Sequence, residues 1–226
     1  MDTPEEVIAK FSEMKIVGRT IKDIRTVDNC FFYQDNDFEN VFEAILNDDD
    51  KALAKLKFPC AITIDEPLLI QFEDGDVLGI DFSWENLVRM ELNTLHWNIQ
   101  PEGTTYLHAD KIFQPLLGKQ IVDILTTSSL QPNTYMPDTY DLDLSQQSSY
   151  LQRISFHCMA KKQNWKHSIE HKLVIEPSWC DFCKVSLRRH SRTLSMPALR
   201  IRDVLGDEMM DKQLKFYWDN YVCSRT

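Results

Sequence analysis

Two blocks of sequence occur twice in this chain, and no other feature restricts its fold as strongly. IVGRTIKDIRT, beginning at Ile16, aligns without gaps with LLGKQIVDILT, beginning at Leu116. LGIDFSWENLVRMEL, beginning at Leu78, aligns in the same way with LVIEPSWCDFCKVSL, beginning at Leu173. Ten of the 26 aligned positions are identical, whereas average composition gives roughly one or two. The offsets are 100 and 95 residues, so the sequence predicts two copies of one unit.

The hydrophobic pattern of the first copy predicts a helix followed by strands. Thr3 can cap a helix, Pro4 suits its first position and Glu6 completes a capping box. Alternation of apolar and polar residues predicts strands over 20–26, 59–64, 68–72, 77–82 and 87–92. The pair Asp74-Gly75 predicts a hairpin turn inside the resulting meander. Residues 37–57 instead have a helical period.

The second copy shows the same order of elements. A short helix over 110–117 is expected to end at Gly118, and strands are expected over 120–126, 151–159, 171–176 and 182–189. A polar stretch without Lys or Arg, 127–149, is expected to be a loop, and 207–221 a helix. The sequence therefore predicts an α+β, β-rich fold of two tandem homologous units, 1–104 and 105–226, packed as one pseudo-symmetric body.

Charge is distributed unevenly between these units. The 226 residues contain 35 acids and 25 Lys plus Arg, a net charge of −10. Residues 1–150 hold 27 acids and 11 bases, whereas residues 151–226 hold 8 acids and 14 bases. Such a split is typical of a chain that meets an anionic partner, but it also fits solvated basic strands or two halves that face each other. Because the acidic first part repels phosphate, a nucleic-acid partner is not expected.

Candidate partner-binding residues lie in the second copy. Arg188, Arg189 and Arg192 belong to the densest basic run, which is either a solvated strand end or a docking surface for an acidic protein. The acidic protein can also be the first copy of a neighbouring molecule, that is, self-association. Tyr135 and Tyr140 in the polar stretch are adaptable contact residues of the kind enriched at interfaces.

The sequence contains one chemical alternative to a binding role. Only 6 Gly are present and no phosphate-binding or dinucleotide-binding Gly motif occurs, which excludes those two classes. Seven of the twelve Cys and His residues fall between His157 and His190. Four of them can form a tetrahedral zinc site, with solvated histidines and core thiols as the alternative. The four candidate ligands are His167, His171, Cys180 and Cys183.

The duplication bears on the cysteines as well. WCDFCK resembles the active-site motif of thioredoxins, but the alignment places Cys183 over Val88, on a strand face shared with Val185. A thiol there is expected to be buried rather than activated at a helix N-terminus. We therefore expect no resident cofactor, and a small zinc- or cysteine-dependent enzyme is the alternative to a binding protein.

The stretch from Pro67 to Leu95, with its FEDG hairpin, resembles a recurring block in uncharacterised bacterial proteins. That resemblance implies a bacterial, cytosolic protein and no particular activity. The N-terminus has no signal-peptide pattern, and no run of about 18 apolar residues follows, so we expect no membrane span and a cytoplasmic location. The sequence thus predicts a non-catalytic cytosolic binding protein, for which an immunity- or antitoxin-like role is one concrete form.

Overall fold

A computed structural model describes residues 3–26, 61–64, 67–82, 88–94, 113–129, 150–160, 171–177, 183–189 and 198–221. Over these residues the protein is α+β and rich in strands, as predicted. The helices are α1 (Pro4–Glu13), α2 (Ile201–Leu205) and α3 (Asp207–Tyr221). The strands are β1 (Ile21–Thr26), β2 (Ala61–Ile64), β3 (Leu68–Phe72), β4 (Val77–Phe82), β5 (Val88–Leu92), β6 (Gln120–Ser129), β7 (Tyr150–Met159), β8 (His171–Pro177), β9 (Cys183–Arg189) and β10 (Ala198–Arg200).

Helix α1 begins with the predicted capping box. The Glu6 amide donates to Thr3 Oγ1 at 3.2 Å, and the Thr3 amide donates to Glu6 Oε2 at 2.8 Å. Its apolar stripe, formed by Val7, Ile8 and Phe11, is fully buried. These side chains belong to one core cluster that also includes buried residues of both sheets, α2 and α3.

The strands form a four-stranded sheet in the order β1-β3-β4-β5 and a six-stranded sheet in the order β10-β6-β7-β8-β9-β2. Gly75 turns the β3–β4 hairpin with a φ of +98°, as its sequence predicts. The expectation that β2 belongs to the first meander is wrong. Ile62 pairs with Val185 of β9, so β2 lies at the edge of the other sheet. An alternating pattern predicts a strand but does not specify its partner strand.

The two predicted copies occupy equivalent places in the two sheets. The order β1-β3-β4-β5 matches β6-β7-β8-β9, strand for strand. The pairing of β1 with β3 shifts register between Ile21 and Asp23, and that of β6 with β7 shifts between Ile121 and Asp123. The bulges therefore follow the 100-residue offset found in the sequence, although the duplication itself remains a prediction.

Reciprocal hydrogen bonds join the two predicted copies where β1 and β6 begin. The Gly18 amide donates to the Ile121 carbonyl at 2.8 Å, and the Gly118 amide donates to the Ile21 carbonyl at 2.8 Å. Each of these hydrogen bonds becomes the other when 100 is added to the number of the residue in one copy and subtracted from the number of the residue in the other. The start of β6 is thereby fixed against the first sheet, and with it the position of the six-stranded sheet.

Other predictions have mixed outcomes. The strands of the second copy and helix α3 are confirmed. In the described part of the predicted helix before Gly118, Phe113 is helical and is followed by a 3-10 turn, Gln114–Leu116. Strand β6 continues to Ser129, into the stretch predicted as a loop. The rest of that stretch, the start of the 110–117 helix and the 37–57 helix lie outside the described residues.

Candidate partner-binding face

The six-stranded sheet packs one face into the hydrophobic core, and the short side chains of its other face, Ser155, Val174 and Ser186, are also buried, at 7%, 2% and 4% exposed. Buried apolar side chains such as Phe156, Leu173 and Val185 point to the core, and the residues between them point to the opposite face because side chains alternate along a strand. We call that opposite face the basic face. Its charged side chains in the described part of the chain are Arg153, Lys172, Arg188, Arg200, Asp123 and Glu176. Four cations with described side chains therefore share this face with two carboxylates, and Lys184 belongs to the face by strand register although its side chain lies outside the described residues.

The centre of the basic face is an ion cluster of three side chains on adjacent strands. Arg153 Nε donates to Glu176 Oε1 at 2.7 Å, and a second nitrogen of the same guanidinium contacts the same oxygen. Arg188 NH2 donates to Glu176 Oε2 at 3.0 Å. The side chains of Arg153, Glu176 and Arg188 are 15%, 19% and 35% exposed. One carboxylate thus bridges two arginines in a partly desolvated position, and Arg188 is the member that solvent reaches most.

The reach of Arg188 follows from the strand register. Arg188 lies opposite Lys172, four residues from Glu176 along β8. Its side chain must therefore extend along the sheet to meet the Glu176 carboxylate. Val174 and Ser186 lie between them in register, and both are buried, 2% and 4% exposed. The guanidinium is consequently held over the middle of the sheet rather than at its edge.

The other carboxylate of the basic face, Asp123, lies at the bulge of β6. Its Oδ1 accepts the Ile124 amide at 2.9 Å, and its Oδ2 lies 3.8 Å from Arg200 NH1. Burial raises the pKa of Asp123, against the opposing effects of the Ile124 hydrogen bond and the Arg200 charge. Its side chain is only 12% exposed, so this acid presents little negative charge to a partner.

The structure describes the side chain of only one of the five predicted partner-binding residues. Arg188 lies on the basic face, and Arg189 ends β9 opposite His171. The side chain of Arg189, together with Arg192, Tyr135 and Tyr140, lies outside the described residues.

Sequence reasoning missed two members of the central cluster, Arg153 and Glu176. Both occupy polar positions in otherwise alternating strands, YLQRISFHCM and HKLVIEP. Aligning the apolar positions of these adjacent strands places the two charges side by side, and that was the available signal.

The structure does not bring His171 and Cys183 together, which corrects the predicted four-ligand zinc site. His171 pairs with Arg189 and Cys183 with Pro177, at opposite ends of the β8–β9 ladder. Six residues of strand span about 20 Å, so one ion cannot bind both. His167 and Cys180 lie outside the described residues. In the described part of the chain no group of three His, Cys, Asp or Glu residues could hold a metal.

The two described cysteines are core residues. Cys183 is 2% exposed beside buried Val185, which confirms the predicted strand face. Burial, with the nearby Asp81 charge, raises the pKa of the Cys183 thiol far above its ordinary value. Cys158 is fully buried and its Sγ contacts the Phe156 carbonyl oxygen at 3.8 Å. Neither position favours the thiolate that nucleophilic catalysis requires.

Among the described residues no helix is long and apolar enough to cross a membrane. Comparison of the chain with family models, with curated proteins and with solved structures gives no match.

Proposed function

We propose that this chain is a non-catalytic binding protein that docks an acidic protein partner on the basic face. The observation that carries the proposal is the central cluster, in which Arg153 and Arg188 share the single carboxylate of Glu176. Arginine is the cation best suited to bind carboxylates at interfaces, because its planar guanidinium offers several donors in a fixed geometry. A partner carboxylate can supply the second negative charge that this cluster lacks.

Charge on the rest of the chain favours a protein over a nucleic acid as the partner. Residues 1–150 carry 27 acids against 11 bases, and the net charge of the whole chain is −10. A polyphosphate backbone is long and is repelled by such a chain, whereas a folded acidic protein can meet one local basic surface. The partner is therefore proposed to be a protein with an acidic patch.

A bacterial, cytoplasmic immunity- or antitoxin-like inhibitor is the concrete form that we propose for this activity. Such a protein acts by covering a surface of its partner and needs no catalytic group of its own. The burial of Cys158 and Cys183 in the core is consistent with that role. A toxin gene beside the gene for this chain is the genomic observation expected from it.

A charge-reversal experiment tests the proposed docking surface. The full chain, its Arg188→Glu variant and its Arg89→Glu variant are used as baits in the native host extract, and the captured proteins are identified. Arg89 is an exposed cation on β5 of the other sheet, so its reversal changes the net charge equally. We expect the wild type and Arg89→Glu to capture the same acidic protein and Arg188→Glu to lose it.

Salt provides a second condition for the same experiment. At about 1 M ionic strength the Debye length falls to about 3 Å, so a charge-dependent complex is expected to dissociate. Capture that is equal for all three baits, or that survives this salt concentration unchanged, contradicts the proposal. Capture of nucleic acid in place of protein contradicts it as well.

A further inference from the structure

Glu176 has an arrangement that simple charge counting does not explain. It lies in the middle of a face proposed to bind acidic groups, and its negative charge opposes that binding. Nevertheless its two oxygens each bind a different arginine, Arg153 through Oε1 and Arg188 through Oε2. The carboxylate is 19% exposed and so is itself mostly withdrawn from a partner.

Without Glu176, nothing in this cluster would hold the Arg188 guanidinium over the sheet. An arginine side chain has many rotamers, and this conformational freedom is lost when a partner immobilises it. The hydrogen bond to Glu176 already restricts the Arg188 side chain in the free protein. Arg188 lies opposite Lys172, and Glu176 is four residues further along β8. Groups fixed before binding cost less to order when the partner arrives.

We infer that Glu176 is a positioning residue, which orients Arg188 and Arg153 for a carboxylate of the partner. This inference rests on the proposed function, since it assigns a role within the same basic face. The partner group is accordingly an Asp, Glu or C-terminal carboxylate, which meets the more exposed guanidinium of Arg188 while Glu176 keeps that guanidinium in place.

Two accounts of Glu176 predict opposite effects of its removal. If only net charge matters, Glu176→Gln makes the face more positive and acidic probes bind more tightly. If Glu176 positions the arginines, the same variant binds acidic probes more weakly, because a neutral amide is a poorer partner for two guanidinium groups. Glu176→Asp separates the accounts further, since it keeps the charge but its side chain is one methylene too short to bridge both arginines.

The experiment measures the affinity of the full chain for poly-L-glutamate at low salt by titration calorimetry. The variants are Glu176→Gln, Glu176→Asp, Arg188→Glu and Glu91→Gln. Glu91 is exposed on β5 and provides a charge-matched control on the other sheet. We expect Glu176→Gln to weaken binding about 3- to 10-fold, Glu176→Asp to weaken it less, and Glu91→Gln to leave it unchanged or slightly tighter. Thermal unfolding of each variant confirms that the fold is retained.

The outcomes separate the inference from the function on which it rests. Binding of Glu176→Gln that is as tight as, or tighter than, that of Glu91→Gln overturns the positioning role. If Arg188→Glu still abolishes binding in that case, the basic face remains the docking site and only the role of Glu176 is wrong. Undiminished binding by Arg188→Glu overturns both proposals.

Discussion

Gly18 lies directly against Tyr217 of helix α3. A Cβ atom at Gly18 would stand 2.8 Å from Tyr217 Cδ2 and 2.9 Å from the Gln213 carbonyl oxygen. At Gly118, the position related by the 100-residue offset, a Cβ atom would meet nothing within 4 Å. The two glycines thus share a left-handed backbone, with φ of +91° and +74°, but only Gly18 is also required for close packing.

This difference predicts unequal costs for the same substitution. Gly118→Ala is expected to lower the free energy of unfolding by about 1–2 kcal/mol, the usual cost of a left-handed conformation for a residue with a Cβ. Gly18→Ala is expected to lose about 1–3 kcal/mol more, because the methyl group must displace α3. Chemical denaturation of both variants measures the difference, and equal losses would show that α3 does not pack on Gly18.

The ion pairs of Arg19 with Asp74 and Asp76 are expected to make the stability of the fold depend on pH. Its guanidinium lies 2.6 Å from an oxygen of Asp76 and 3.0 Å from one of Asp74. Burial by itself would raise the pKa of Asp76, but hydrogen bonds from Arg19 and Asn93 and the Arg19 charge outweigh it, and the pKa is lowered. A carboxyl with a lowered folded-state pKa stabilises the fold above its unfolded pKa, near 3.9. That stabilisation is lost as the pH falls below this value.

Substitution of Arg19 tests this dependence. Arg19→Met is expected to cost about 3 kcal/mol at pH 7, because it leaves the carboxylates of Asp74 and Asp76 without their cation, and the Asp74 side chain is only 9% exposed. It should also reduce the loss of stability between neutral pH and about pH 3. Arg25→Met is the control, since the Arg25 side chain is 40% exposed in its ion pair with Asp23. The measurement is the free energy of unfolding of both variants between neutral pH and about pH 3. The same pH dependence for Arg19→Met and Arg25→Met would contradict this account.

The buried thiols predict slow chemical modification. Cys158 and Cys183 are 0% and 2% exposed, so iodoacetamide should label both only after denaturation, as read by peptide mass spectrometry. Cys183→Ala should retain binding to poly-L-glutamate. Rapid labelling of Cys183 in the native protein would instead revive the cysteine-dependent enzyme as an alternative.

Local signals in the sequence were sufficient for most elements of the fold. The capping box of Thr3 and Glu6, the Asp74-Gly75 turn and the alternating strands depend on neighbouring residues, and these predictions are confirmed where the structure describes them. The burial of Cys183 was also predictable, because its aligned counterpart Val88 marks an apolar strand face.

Features that depend on distant residues could not be predicted in this way. The pairing of β2 with β9 joins residues more than a hundred positions apart, and an alternating pattern leaves that choice open. The contact of Gly18 with Tyr217 joins residues that are even farther apart in the sequence. The separation of His171 from Cys183 follows from the register of one hairpin, which the spacing of the residues alone did not specify.

Zero-length cross-linking tests the docking of an acidic partner on the basic face most directly. A carbodiimide joins lysine amines to the carboxylates of bound poly-L-glutamate, and mass spectrometry identifies the lysines. Lys172 lies on the basic face, whereas Lys212 on α3 is 67% exposed and serves as an internal control for accessibility. We predict preferential cross-linking of Lys172, lost in Arg188→Glu and retained in Arg89→Glu. Cross-linking that favours Lys212, or that is unchanged by Arg188→Glu, would contradict the proposed docking surface.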